Sequence, residues 1–413
     1  MGQTIIEKIF ARHTSDPVEP GNIIWLELDV RTARDFGGAN VVGHLEREYP
    51  DAPVGDPSRT FFTFDCVVPA NNIPYANNQQ ICRDFAREHG IRVYDVDMGI
   101  GSHVVIEQGL VTPGTTLVGT DSHLNILGAV GAFGQGMGDQ DIAFAFKTGK
   151  TWYEVPGSMR VRVKGRLDPP LTAKDLNLAI LGAIGSTGGL GRAMEFYGEA
   201  IDDLSLDGRI TLASQATEMG AVIALLPPND QVREYCRERS GRDAEPIPAD
   251  ADAAYVEHLD IDIGGLKPLV SRPGAPHDVV EAESVKGVRV DSVFFGSCTN
   301  GRLEDLETAA SMLKGKRVAP HVMAKVVPAT REVYGELLGR GLLEIFYEAG
   351  VIVSNPGCGG CASGQIGMTG RGEVQVSTSN RNFRGKQGAG ETYLAGPRVA
   401  AASALAGEIC APE

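Results

Sequence analysis

Val290-Asp-Ser-Val-Phe-Phe-Gly-Ser-Cys298-Thr-Asn-Gly-Arg302 is an apolar run that ends in a glycine-flanked cysteine. Gly350-Val-Ile-Val-Ser-Asn-Pro-Gly-Cys358-Gly-Gly-Cys361 has the same form with two cysteines. An apolar run that stops at a glycine turn reads as the end of a buried strand, where open α/β folds seat their ligands. Thiols converging from such ends suggest an iron–sulfur cluster. A cluster that only carries electrons usually has four protein ligands. With three, one iron stays open and can act as a Lewis acid on a substrate oxygen. The spacing alone also admits a redox dithiol, half of a zinc site, or buried structural thiols. A zinc site wants a fourth ligand nearby, and the nearest histidine, His321, has no motif around it. Cys82, Cys236 and Cys410 read as ordinary core or surface thiols.

At 413 residues the chain is too long for one ordinary core, so two or three domains are expected. A hydrophobic content of 42% and a mean hydropathy near zero indicate a soluble globular protein, and no apolar stretch is long enough to span a membrane. The N-terminal residues alternate charged and apolar like an amphipathic helix and do not read as a signal peptide. Ile6 stands where a myristoylation motif needs Ser or Thr. Seven cysteines without a signal fit a reducing cytosol, so a cytoplasmic protein is expected. The net charge of −15 disfavours nucleic acid as a partner. An acidic substrate must therefore be captured by a local cationic pocket.

Strand-like and helical runs alternate. Ile23 to Val30, Phe61 to Val68, Val93 to Val96 and Thr116 to Gly119 read as strands. Asn77 to His89 reads as a helix with Ile81, Cys82 and Phe85 on one face. The alternation predicts largely parallel sheets with helices on both faces. Gly128 to Gly138 lacks the Lys-Ser/Thr of a phosphate loop and the dinucleotide spacing; it reads as a small-residue helix start packed close to the site. Met159 to Gly165 alternates like a half-exposed strand. Helices are expected over Lys174 to Ile184 and Asp207 to Met219. Ser240 to Ala253 reads as a solvated loop, and Ser271-Arg-Pro-Gly-Ala-Pro276 as a linker to a further unit.

Four motifs in order, Gly119-Thr-Asp-Ser-His123, Gly296-Ser-Cys-Thr-Asn-Gly-Arg302, Gly357-Cys-Gly-Gly-Cys361 and Ser377-Thr-Ser-Asn-Arg-Asn-Phe383, resemble the signatures of the aconitase superfamily. The resemblance runs from the N-terminus to about Gly407. It is strongest to the large subunits of its two-subunit enzymes, 3-isopropylmalate dehydratase and homoaconitase. It implies three α/β/α domains packed round the cluster, over residues 1–156, 157–274 and 275–413, without the family's swivelling fourth domain. It further implies a hydro-lyase that dehydrates or isomerises a hydroxy dicarboxylic acid. The cofactor would be a [4Fe-4S] cluster on Cys298, Cys358 and Cys361, and a small subunit would bring the swivelling domain. Dimethylmalate, homocitrate or citramalate are alternative substrates, and a non-catalytic iron–sulfur or RNA-binding regulator is a rival of another class.

By the same resemblance Asp121 pairs with His103 and Glu218 with His123, pairs that raise an imidazole pKa and fix its tautomer. Ser122 would touch a substrate carboxylate, Arg381 would bind one bidentately, and Asn380 would support cluster or substrate. Thr299, Asn300 and Arg302 would shape the turn after Cys298. Taken singly, without the resemblance, each histidine reads more readily as a hydrogen-bonded core residue. Several positions depart from the family. Asp65-Cys66 stands where relatives carry the Asp-His of their acid apparatus, so Asp65 is kept as a site residue and Cys66 is expected to be a spacer. Lys386 replaces a second arginine and keeps the charge without the fork. Ser214 replaces an asparagine. Leu28, Leu124 and Ile126 stand where polar contacts are usual. The pocket is therefore expected to favour an alkyl-substituted malate over a tricarboxylate.

Overall fold

The computed structural model describes residues 2–243, 245–361 and 365–412. Three parallel or largely parallel sheets organise the chain. The first has five parallel strands in the order Arg92–Tyr94, Thr60–Thr63, Val30–Arg34, Thr116–Gly119, Phe133–Gly136. The second has four, Ile223–Leu225, Ala193–Tyr197, Ser158–Lys164, Glu257–Asp262, also parallel. The third has seven: Val279–Glu281, Leu269–Ser271, Glu391–Ala395, Val374–Ser377, Ser292–Phe295, Met323–Val326, Ile352–Val353. Only its first two pairings are antiparallel. The Ser292–Phe295 strand, three of its four residues apolar, is buried along its length, as a central parallel strand covered on both faces must be. Ser158–Lys164 alternates buried and exposed residues over its last five positions, so one of its faces is left to solvent. Among the described residues no helix is long and apolar enough to cross a membrane.

Strand order reverses twice at places that matter. In the first sheet the chain runs outward on either side of the gap between Val30–Arg34 and Thr116–Gly119. In the third it does so between Ser292–Phe295 and Val374–Ser377. Loops leaving the carboxyl ends of strands diverge at such a reversal and open a crevice. The two crevices adjoin. Ile100 N–H donates to Ala329 O at 2.8 Å and Arg331 N–H to Met98 O at 3.0 Å, joining the loops of the two sheets. Cys298 and Cys358 share a buried cluster with residues of the first two sheets.

Several segments differ from the sequence reading. Ile23 to Val30 is not one strand. Ile23–Glu27 pairs antiparallel with Lys150–Glu154, and a new strand starts at Val30. The break falls at Asp29, whose carboxylate is tied to His13 Nε2 and Thr116 N–H, at 2.8 and 3.0 Å. The strand read as Phe61 to Val68 ends at Thr63. The third helix begins at Ile73, earlier than read, with Asn72 capping Tyr75 N–H and Pro74 in the first turn; Ile81 is exposed while Cys82 and Phe85 are buried. Asp207 to Met219 divides into the helix Leu206–Ala213 and a tight turn at Ala216–Met219. Gly128 to Gly138 is not a helix start. It spans the end of a 3₁₀ segment and the strand Phe133–Gly136, and the helix opens only at Asp139. The stretch read as a linker, Ser271 to Pro276, is the hairpin between Leu269–Ser271 and Val279–Glu281.

Glycine at 128 answers to a close approach of two chains. A β-carbon there would lie 1.9 Å from the Ala224 carbonyl oxygen, whereas at Gly43, inside the helix Gly38–Glu48, it would meet nothing within 4 Å. Gly128→Ala is expected to destabilise the protein by about 1–3 kcal/mol, the scale of overpacking. Gly43→Ala should instead stabilise it by about 0.5–1 kcal/mol through helix propensity. Urea unfolding of the two variants checks both; equal effects would show the 128 contact to be soft.

Candidate active site

The loops at the two crevices build one cavity of about 320 Å³. Its wall includes Asp121, Ser122 and His123 from the loop after Thr116–Gly119, and Cys298 from the turn after Ser292–Phe295. Cys358 and Cys361 come from beyond Ile352–Val353, and Arg381 and Lys386 from beyond Val374–Ser377. The turn at Cys298 is strained. Ser297 has φ +77°, the only positive φ at a non-glycine among the described residues, a conformation found mainly where surrounding structure imposes it.

The three motif thiols line one cavity, and two of them have N–H donors directed at sulfur. Arg34 Nη2 lies 2.9 Å from Cys358 Sγ, and Asn380 Nδ2 donates to Cys298 Sγ at 3.5 Å. Cys361 Sγ donates to Asn380 Oδ1 at 3.2 Å. Burial, then the neighbouring Cys361, pushes the Cys298 thiol well above its ordinary value, and burial raises Cys361 as well. Buried thiols crowded against one another ionise readily only when something positive, such as iron, takes them.

His123 and Glu218 come together as expected, with Nε2 to Oε1 at 3.3 Å. Glu218 Oε1 also accepts from Arg381 Nε at 2.5 Å. Burial would raise the Glu218 carboxyl, but His123 and then Arg381 outweigh it and hold it below its ordinary value. His123 Nε2 stands between this acceptor and a donor, Asn380 Nδ2 at 2.7 Å. The protonated ring can donate to Glu218, and the neutral ring can accept from Asn380. His123 Nε2 thus has one partner for either tautomer, Glu218 as acceptor or Asn380 as donor. Ser122 Oγ lies 3.3 Å from the other ring nitrogen.

The Asp121–His103 pair is absent. His103 Nε2 donates to the Cys298 carbonyl at 3.0 Å, and its Nδ1 is buried without a partner. Burial, then the Arg302 cation, lowers its pKa to about 3. His103 is thus a neutral residue that braces the Cys298 turn. Asp121 is instead taken by Arg34 Nη1 at 2.8 Å and by His123 N–H at 3.0 Å. Asp65 is fully buried and does not line the cavity. Its Oδ1 accepts from Arg34 Nε at 2.8 Å and Nη2 at 2.5 Å, and its Oδ2 from Gly101 N–H at 2.8 Å. Burial lifts Asp65 to about 6 against the pull of Arg34, while for Asp121 the pull of Arg34 and His123 outweighs burial. As pH falls, Asp65 takes the first proton.

Arg34 was missed from sequence, as were Phe36, Tyr75 and Ile100, which also line the cavity. The available signal was position: Arg34 ends a parallel strand at a reversal of strand order. Leu28, Leu124 and Ile126, read as pocket walls, are core residues and do not line it. The 3₁₀ turn after His123 rotates Leu124 and Ile126 inward. Arg302 pairs with Glu107 and with Asp207 in the interior. Ser214 bonds the Thr299 hydroxyl at 3.1 Å. Lys386 has no ion-pair partner among the described residues.

Known proteins resemble the chain along its whole length. The family model described as aconitase family (aconitate hydratase) matches residues 7–407. A Methanopyrus kandleri protein named 3-isopropylmalate dehydratase large subunit 1 is 42% identical, over 100% of this chain and 99% of its own. A Methanothermobacter thermautotrophicus protein named probable methanogen homoaconitase large subunit is 41% identical, over 98% and 97%. The crystal structure of Thermococcus kodakaraensis aconitase X superposes with a TM-score of 0.54 over 87% of this chain and 84% of its own. At 14% identity that likeness concerns the fold.

Removing Arg34 strands two buried carboxylates. Arg34→Met is expected to cost about 3–5 kcal/mol at neutral pH, the range for breaking a buried ion pair. Without the guanidinium both carboxyl pKa values rise in the fold, so the folded variant binds more protons than the unfolded chain. Its stability should therefore fall as pH rises, and the deficit against the parent should narrow from neutral pH toward pH about 5. Denaturation curves at both pH values test this; a deficit independent of pH would contradict it.

Proposed function

The chain belongs to the aconitase family and is a hydro-lyase, and we propose that it is the large catalytic subunit of a 3-isopropylmalate dehydratase-like enzyme. Its substrate would be a hydroxy dicarboxylic acid with an apolar substituent. The observation that carries this reading is the convergence of Cys298, Cys358 and Cys361 with Ser122, His123, Arg381 and Lys386 on one cavity.

Family membership implies an iron–sulfur cluster. The residues present fit one: three thiols on one cavity, two of them buried with N–H donors directed at sulfur, and a buried Glu218 Oε2 with no partner. We assign Cys298, Cys358 and Cys361 to hold it, as a [4Fe-4S] cluster. When bound, such a cluster with an open iron supplies a Lewis acid for the substrate hydroxyl and one carboxylate.

The remaining chemistry is assigned to side chains. Arg381 uses Nε on Glu218 and keeps both Nη groups for a substrate carboxylate. Lys386 supplies a second cation and Ser122 a hydroxyl contact. His123, held between Glu218 and Asn380, gives a proton to the departing hydroxyl. Asp121 fixes the backbone N–H of His123, and Arg34 fixes Asp121. His103 and Asp65 act by positioning.

The apolar wall supports an alkyl substituent. Phe36, Tyr75 and Ile100 form it, in place of the leucines and isoleucine expected from sequence. Of the cavity's three cations Arg34 is committed to Asp65 and Asp121, which leaves the Nη groups of Arg381 with Lys386 to hold one substrate carboxylate beside the one the cluster would take. A third substrate carboxylate would face apolar side chains unpaired, at a cost of a few kcal/mol, roughly the scale for burying an unpaired polar group. Relatives named as large subunits support a small-subunit partner. We assign that partner the swivelling domain and the base that takes the carbon-bound proton.

Cys298→Ser, Cys358→Ser and Cys361→Ser should each lower the iron and sulfide retained after anaerobic reconstitution; full retention by any one would remove that residue from the ligand set. The substrate assignment is tested with the reconstituted chain alone and with a co-expressed small subunit, on alkylmalates, citrate and homocitrate, read by enoate absorbance. Activity is expected only in the complex and highest on an alkylmalate. Highest kcat/KM on a tricarboxylate, or equal rates for the isolated chain, would contradict it.

A further inference from the structure

The chain holds two tryptophans, and both are half exposed on one face of the ribbon formed by Ile23–Glu27 and Lys150–Glu154, Trp25 directly opposite Trp152. The ribbon has two edges, since no further strand joins it. Val155 N–H donates to Asn22 O and Leu28 N–H to Gly149 O, both at 2.9 Å. Bonded rungs of an antiparallel pair alternate, so they continue at Ile24 with Tyr153 and at Leu26 with Thr151. The N–H groups of Trp25 and Glu27, and those of Trp152 and Glu154, therefore point outward on opposite edges. The first edge is covered: Trp25 N–H donates to Asp16 Oδ2 and Glu27 N–H to His13 O, both at 2.8 Å. The second is open. Trp152 and Glu154 N–H have no partner among the described residues, and Lys150 N–H reaches only the Thr148 hydroxyl, at 3.2 Å. A cavity of about 280 Å³, walled by Met137, Pro156, Gly191 and Val222, adjoins this edge in place of a covering strand.

We propose that this edge joins two copies of the chain, Lys150–Glu154 pairing antiparallel with the same strand of a second copy to make one four-stranded sheet. Charges at an edge ordinarily turn a second strand away. Here they are opposite in sign and symmetric about Trp152, Lys150 two residues before it and Glu154 two residues after. A strand that pairs with itself about Trp152 sets Lys150 against the second copy's glutamate and Glu154 against its lysine, with the two tryptophans at the centre. Each contact then occurs twice, as a two-fold interface requires. The side chains of Lys150, Trp152 and Glu154 all lie exposed on one face, and the same three residues carry the outward backbone groups. Charge and backbone thus call for the same register. A slip of two residues loses both ion pairs, and a slip of four sets like charges opposite each other. Lys150 Nζ lies 3.1 Å from Glu27 Oε1 of its own chain, but an exposed pair of this kind has little net worth and does not withhold the lysine.

Sedimentation velocity over a dilution series, on the full chain alone and co-expressed with its small subunit, tests this. The parent should carry two large chains per particle and dissociate on dilution. Lys150→Glu and Glu154→Lys each set like charges opposite at both symmetric positions and should raise the dissociation constant about tenfold. Mixing the two single variants restores opposite charges at every facing pair, so the mixture should associate as the parent does. That rescue separates a lost contact from a damaged fold. Trp152→Pro removes an outward N–H that the ribbon itself does not use and should leave one large chain per particle. A parent with one large chain at every concentration, with or without the small subunit, would overturn the proposal. So would a dimer indifferent to the single reversals, or one that the mixture fails to restore. The measurement needs neither cluster nor substrate, so its outcome stands apart from the hydro-lyase reading.

Discussion

The arrangement of this site depends on one buried cation. Arg34 donates to Asp65 and Asp121 and touches the sulfur of Cys358, so a single guanidinium ties the second and fourth loops of the first sheet to the cysteine loop of the third. Two carboxylates and several thiols packed in and behind one low-dielectric cavity would repel one another once ionised, and without a cation each would resist losing its proton. A planar donor with a fixed fork can satisfy such groups simultaneously where a lysine could serve them only as a point charge. Burial opposes the charge on Arg34, yet Asp121 and Asp65 raise its pKa well above the ordinary value. The cation therefore stays charged across any working pH, and the anionic groups around it keep their geometry.

The fold supplies the second requirement, a place for these groups to meet. Each sheet with a reversal of strand order opens a crevice at its carboxyl edge, and here two such crevices face each other. One contributes the Asp121-Ser122-His123 loop, the other the cysteines with Asn380 and Arg381. Neither sheet alone holds both the proposed acid–base group and a proposed cluster ligand. Asn380 crosses between them, reaching His123, Cys298 and Cys361. Protonation of His123 and the electron density of the proposed cluster sulfurs are thus linked through one amide.

Much of this was legible in the sequence, for definite reasons. Thr116 to Gly119 followed by Asp121-Ser-His123 is an apolar run abutting a polar turn, and strand and loop fall where the pattern puts them. The cysteine loops were legible because glycine is needed there: Gly359 has φ +58° and a β-carbon would strike the Phe294 ring. Arg34 was not legible. Its partners lie 31, 87 and 324 residues away, and the break at Asp29 hid the strand that it ends. Leu124 and Ile126 were misjudged because a match to positions where relatives are polar says nothing of a 3₁₀ turn that buries every side chain it carries. The expected Asp121–His103 pair failed for a related reason, since Arg34 had already taken the carboxylate.

The central claim is that this cavity, bounded by Cys298, Cys358 and Cys361, is where iron and sulfide reside and where water is removed from substrate. Diffraction from anaerobically reconstituted crystals at the iron absorption edge tests it most directly. The account predicts a single strong anomalous peak inside the cavity, within bonding distance of the three sulfurs. Iron located elsewhere, or an empty cavity in protein that still dehydrates its substrate, would contradict it.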